Sequence, residues 1–237
     1  MKLHKIADLY VGIEYKYSIM KAQAPKYETS DKPEIVDIAV WSNDDTISKL
    51  KTDKPMLTVD ECEYLITGAN FYDCLIGFDG LMLHASAVAY KNGAYLFSAD
   101  PGTGKSTHTQ LWLKAFGKEA RILNDDKPAI RYEDGKLYAY GTPFSGKHDL
   151  SANKRAEVAG ICFLERALEN SIEQISPKQS VHLMLEQTIR SNEIEFMDKL
   201  LFVMDKLLTS VKVYKLHCNM DISAARLAYE TMSNTGE

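Results

Sequence analysis

The sequence predicts an α/β fold: a mixed, largely antiparallel sheet with flanking helices and a P-loop, preceded by a small β-rich N-terminal extension. Three stretches carry that expectation. An apolar run, Ala94-Tyr95-Leu96-Phe97-Ser98, enters the glycine-rich bend Ala99-Asp100-Pro101-Gly102-Thr103-Gly104-Lys105-Ser106-Thr107, after which Leu111, Trp112, Ala115 and Phe116 recur at helical spacing. Strand, bend and helix in that order make a phosphate-binding turn. Lys91-Asn92-Gly93 separates the strand from an earlier one over 81–90, and Asn-Gly tolerates the positive φ of a type I′ hairpin. A second hairpin follows, with 129–132 and 137–140 flanking Glu133-Asp134-Gly135. Hairpins on both sides of the loop, in place of βαβ units, make the sheet largely antiparallel.

The remaining elements follow in order. Residues 1–56 hold short extended candidates at 9–13 and 35–41, separated by polar stretches, and form the extension; 57–237 form the nucleotide-binding domain. His4 has no partner nearby and reads as a solvated side chain. Thr58-Val59-Asp60-Glu61 is a capping box, and Leu65, Ile66, Ala69, Tyr72 and Ile76 mark the buried face of the helix behind it. Val158–Leu164 is an apolar run of strand length, ending in Glu165-Arg166, two charges expected to pair at the surface. Ser176-Pro177 starts a helical region, in which Ile194, Met197, Leu201, Met204 and Leu208 form one buried stripe. A strand over 211–216 and a helix capped by Asp221 complete the chain.

Composition narrows the function classes. With 45% hydrophobic and 26% charged residues the chain reads as an ordinary globular protein, and no run is apolar enough for a bilayer. The N-terminus lacks the apolar core of a signal peptide, so a cytoplasmic location without a membrane partner is expected. A net charge of −5 argues against a nucleic-acid partner. The four cysteines, Cys62, Cys74, Cys162 and Cys218, have no zinc-ligand spacing and read as free thiols.

The chemistry gathers at two places. In the bend, Gly102 and Gly104 let successive N–H groups curl around an anion, while Pro101, Thr103 and Thr107 complete the cradle. Lys105 would reach the β- and γ-phosphates and Ser106 would offer its hydroxyl to Mg²⁺. The second place is Arg121-Ile122-Leu123-Asn124-Asp125-Asp126-Lys127, a strand ending in two acids. One carboxylate there can hold Mg²⁺ and the other can take a proton from an attacking hydroxyl. Further on, 141–150 has the make-up of an active-site loop, and Lys147, His148 or the following Arg155 could set a cation against a transferring phosphoryl group.

The succession Leu83-His84-Ala85-Ser86-Ala87-Val88, Gly102-Thr103-Gly104-Lys105-Ser106 and Asn124-Asp125-Asp126 resembles the catalytic domain of HPr kinase/phosphorylase, bacterial P-loop kinases with a phosphoenolpyruvate-carboxykinase-like fold. The resemblance covers roughly 81–126. It implies that Lys105 and Ser106 hold nucleotide phosphates and Mg²⁺, that Asp125 is the general base, that Asp126 lies at the metal, and that His84 stands near the loop. Ala99 departs from the first loop glycine, the large N-terminal domain of the full-length enzymes has no counterpart, and the later phosphorolysis signature is not found. The expected function is an ATP- and Mg²⁺-dependent kinase transferring the γ-phosphoryl group to a hydroxyl, of a protein serine or a small-molecule alcohol. The alternative is a nucleotide-binding regulatory NTPase without an acceptor. Because the relatives often assemble, a homo-oligomer is also an expectation.

Overall fold

The computed structural model describes residues 1–91, 93–190 and 194–234. The chain opens with a hairpin, β1 (Lys2–Ile6) and β2 (Leu9–Ile13), turned through Ala7 and Asp8 at φ of 53° and 60°. After α1 (Ser18–Gln23) and a 3-10 turn, β3 (Ile38–Val40) pairs parallel to β2 and completes a three-stranded sheet. Two helices follow, α2 (Asp44–Asp53) and α3 (Val59–Ile76). The first 56 residues therefore contain helices as well as strands. Ile6, Ile13, Met20 and Val40 share one apolar core with Phe71, Leu75 and Phe144 of the following region. His4 is fully buried beside Tyr15, correcting the expectation of a solvated side chain: strand alternation turns it inward with Ile6.

α3 starts at the expected capping box. The Thr58 hydroxyl accepts from the Glu61 N–H at 3.2 Å, and the Glu61 carboxylate accepts from the Thr58 N–H at 2.8 Å. Its buried side is Cys62, Tyr64, Thr67, Gly68, Phe71, Tyr72, Leu75 and Ile76. Leu65 and Ile66 are only half-buried and Ala69 is exposed. Two apolar stripes run along this helix, and Phe144 takes up the one with the larger aromatic rings.

The large sheet is built from β4 (Gly80–Met82), β5 (Ala85–Tyr90), β6 (Gly93–Ser98), β7 (Ala120–Asp126), β8 (Ala129–Glu133), β9 (Lys136–Tyr140) and β10 (Arg155–Arg166), with β11 (Ser171–Ile175) and β12 (Val213–Cys218) alongside. Its path is β4-β8-β9-β10-β6-β5-β7. β10 pairs parallel with β6 and β12, and the other pairings in this sheet are antiparallel, which gives the mixed, largely antiparallel character expected. The first hairpin closes with Tyr90 opposite Gly93 and Lys91 at φ 52°; Asn92 lies outside the described residues. In the second, Asp134 and Gly135 both take positive φ, 49° and 82°. The single strand expected over 81–90 is two, because β4 pairs with β8 while β5 lies between β6 and β7.

Helices cover both faces. α4 (Lys105–Phe116) and α7 (Ile222–Met232) bury Trp112 among Tyr90, Tyr95, Phe97 and Tyr229. α5 (Pro177–Glu186) and α6 (Ile194–Ser210) supply Met184, Leu200, Val203, Met204 and Leu207 to the other core. On α6 the buried stripe is rotated from the expected one: Ile194 and Leu201 are 82% and 45% exposed. Among the described residues no helix is long and apolar enough to cross a membrane.

Register places the site. Phe163, Ser98, Ala85 and Asp126 lie in one row across β10, β6, β5 and β7. The bend that leaves β6 and the acids that end β7 are thus two strand spacings apart, about 10 Å, at one end of the sheet.

Candidate functional site

The glycine-rich bend needs its glycines for backbone angle. Gly102 and Gly104 sit at φ 81° and 127°, where a Cβ would meet nothing within 4 Å but the angle itself resists side chains. The Thr103 N–H donates to the Asp100 carbonyl at 3.1 Å, and α4 begins at Lys105 directly behind Gly104. Lys105 is only 9% exposed, and its ammonium donates to the Ala99 carbonyl at 2.8 Å. Burial pushes its pKa down, opposed by the negative charges of Asp126, Asp125 and Asp100. The residue in the place of the usual first glycine thus gives the buried lysine its backbone acceptor.

The two acids face this lysine from different surroundings. Asp125 is buried and accepts from the Ser86 hydroxyl on β5. Asp126 lies 3.4 Å from His84 Nε2 and pairs with the ammonium of Lys127. Burial alone would raise the Asp126 carboxyl, but the hydrogen bond from His84 and the charge and hydrogen bond of Lys127 hold it below its ordinary value. His84 Nδ1 stands 2.8 Å from Gln187 Oε1, and the Gln187 amide donates to Asp100 at 3.5 Å. Asp126, His84, Gln187 and Asp100 form a polar chain from the acids to the bend. The Ser98 hydroxyl, donating to the His84 carbonyl at 2.8 Å, ties the same histidine to β6.

Among the described residues no group of three or more His, Cys, Asp or Glu side chains could hold a metal ion by itself. Mg²⁺ does not require one, since it commonly takes one or two protein oxygens and completes its shell with phosphates and water. Asp126, Asp125 and Asp100 all bring carboxylate oxygens near Lys105, and Ser106 stands at the start of α4.

Two expectations about cations change. Arg155 opens β10, whereas the bend lies beside Phe163 eight residues later, about 26 Å of extended chain away. Its guanidinium bonds Asp8 and Glu133, each at 2.8 Å, and lies 4.4 Å over the Tyr138 ring. It is therefore a structural cation and not a member of this site. Arg166, at the other end of the strand, donates to the Thr103 carbonyl at 3.0 Å and to the Gly102 carbonyl. The expected surface pair with Glu165 does not form; Glu165 takes Lys215 at 2.7 Å and His217 at 3.3 Å instead. Lys147 is exposed, on a loop whose Gly146 backs onto Asp125 and Asp126. Ser86 stands inside the 83–88 succession without a role, and Arg166 and Gln187 have no motif to mark them: register, strand length and a helix end bring them in.

Two clefts of about 510 Å³ each flank the bend, and Arg166 lines both. One lies toward α5, with Gln187 and Lys215; the other reaches Thr107, His108, Asn219 and Met220. His108 is buried against Phe97 and accepts from the Trp112 indole at 3.2 Å; burial pushes it down to about 4.

Compared with known proteins, the chain matches no family model and no curated protein. Among the solved structures it is similar to is an Hpr(Ser) kinase/phosphatase from Coxiella burnetii, at 11% identity and a TM-score of 0.38, over 63% of this chain and 95% of that one.

Proposed function

We propose that this protein is a nucleotide-dependent phosphotransferase, binding ATP with Mg²⁺ and passing the γ-phosphoryl group to a hydroxyl. One observation carries the reading: a buried lysine follows two positive-φ glycines at a helix start and faces two carboxylates held at the same end of the sheet. Positive φ aims backbone N–H groups at an anion, and the start of α4 adds the favourable end of its dipole. Pro101, Gly102, Thr103, Gly104 and Thr107 would cradle the phosphates, Lys105 would meet their charge, and Ser106 and Asp126 would hold the metal. Mg²⁺, when bound, supplies neutralisation of phosphate charge.

In the transfer, the acceptor oxygen bonds the γ-phosphorus as the bond from that phosphorus to the β–γ bridging oxygen breaks. ADP leaves with that electron pair, and the hydroxyl proton passes to Asp125, whose other oxygen keeps the Ser86 hydrogen bond. His84 and Lys127 already engage the Asp126 carboxylate, which leaves Asp125, bonded by the Ser86 hydroxyl, as the base. Incubation with γ-labelled ATP and fractionated cell extract tests this: wild type should label an acceptor, and Asp125→Asn should bind nucleotide yet transfer about 10²–10⁴ times more slowly. Nucleotide hydrolysis with no labelled acceptor would favour a regulatory NTPase, and equal transfer by Asp125→Asn would remove the base.

A further inference from the structure

The two acids rest against a loop that the N-terminal extension holds in place. Gly146, at φ 71°, packs so closely on them that a Cβ there would meet the Asp125 carbonyl oxygen at 3.1 Å and Asp126 Cβ at 3.2 Å. Side chains of α1 and α3 take both of its peptide groups. The Gly146 N–H donates to the Tyr64 hydroxyl at 3.0 Å, and the Gln23 amide donates to the Gly146 carbonyl at 2.9 Å. Further along the loop, the Lys26 ammonium donates to the Asp149 carboxylate at 2.7 Å and to the Asp149 carbonyl at 3.0 Å. The neighbouring Leu150 carbonyl accepts from the Asp125 N–H at 3.0 Å. Two short routes thus run from the extension to the acids, one through Gly146 and one through Asp149.

The support itself is firmly set. Gln23 ends α1 and Lys26 lies in the 3-10 turn behind it, where a spacing of three puts both side chains on one side. Ala24 and Tyr27 are fully buried and fix this turn in the core that also takes Phe71 and Phe144. We propose that Gln23 and Lys26 are positioning residues: acting through Gly146 and Asp149, they hold Asp126 where a metal ion needs it, and so give residues 1–56 a part in the reaction. The metal role rests on the kinase reading above; the clamp does not. Mg²⁺ demands near-octahedral oxygens at about 2.0–2.1 Å, and a ligand freed to drift by more than about 0.5 Å leaves such a shell. The extension is also moored away from the acids, through Asp8 to Arg155. That second mooring separates a positioning role from simple attachment.

The test uses the full chain, with ATP affinity measured with and without Mg²⁺ and amide hydrogen exchange followed over 123–127 and 145–150. Gln23→Met keeps the side chain's size and removes Oε1, which is buried without a hydrogen-bond partner, so the fold is spared. Combined with Lys26→Ala, it should cut the affinity gained from Mg²⁺ about tenfold, the scale of outer partners of a metal ligand. Metal-free affinity should stay as in wild type, and exchange should quicken in both segments while 2–13 stays protected. Lys26→Arg, paired with Asp149 as before, should match wild type in both readouts, and Arg155→Ala should change neither. A double variant with the wild-type Mg²⁺ gain, unchanged exchange at the Asp125 amide, equal loss in Arg155→Ala, or quickened exchange over 2–13 would overturn the positioning role. A wild type whose ATP affinity ignores Mg²⁺ would remove the kinase reading and the metal role with it, while the exchange still decides whether the clamp holds the acids.

Discussion

β10 carries an arginine at each end, and the two differ in what their charges meet. Arg155 finds carboxylates: Asp8 from the N-terminal hairpin and Glu133 from β8 are both within 2.8 Å. Arg166 finds carbonyl oxygens of the glycine-rich bend. A guanidinium spent on two carboxylates welds strands together; one that holds only backbone carbonyls keeps its charge available to an anion lying against the same loop. The lesson is that a cation near a reactive site in sequence is not a cation in the site until its partners are known.

Substitutions can break or sharpen that contrast, and the largest effects belong at the bend. Lys105→Ala should abolish nucleotide-induced thermal stabilisation, because among the described residues Lys105 is the buried ammonium at the glycine-rich bend; a retained shift in a melting assay would place the nucleotide elsewhere. Acid should next unsettle this end of the molecule. His108 is held near pH 4 against an ordinary 6.5, so the unfolded chain binds more protons between those values and stability falls as pH drops through that window, by about 3 kcal/mol in all. His4, also lowered by burial, adds loss of the same sign from the Arg155 side. Denaturant titrations from pH 7 to 4.5 should show a flatter slope in His108→Leu, and an unchanged slope would mean that the ring is hydrated.

Arg166→Ala should weaken nucleotide binding by about 2 kcal/mol, the scale of a hydrogen bond to a charged group, measured by calorimetry. Arg155→Ala should leave nucleotide affinity as it was and cost at most about 1 kcal/mol of stability, since its side chain is 44% exposed and its pairs are screened by solvent. The reverse pattern would exchange the roles of the two ends.

The parts of the fold set by local chemistry were readable in the sequence. Thr58 and Glu61, Ser176 and Pro177, and the two glycine-containing hairpin turns each fix a terminus or a turn through a few adjacent atoms. Residues facing a choice of partners were not. α3 offers two apolar stripes, and only Phe144, far along the chain, decides which is buried. β11 is an edge strand with most of its side chains in water, so it lacks the alternation that announces a strand. In the candidate site, the bend and the acids stand out by residue type. Arg166 and Gln187 do not, because a strand's length and a helix's end decide where they point.

The most direct measurement joins the bend to the acids. Titrate ATP into wild type and Asp126→Asn with and without Mg²⁺, following affinity. If a metal lies between Ser106 and Asp126, Mg²⁺ should tighten binding in wild type, and Asp126→Asn should lose that gain while keeping its metal-free affinity. An Asp126→Asn protein that responds to Mg²⁺ as wild type does would contradict a shared site.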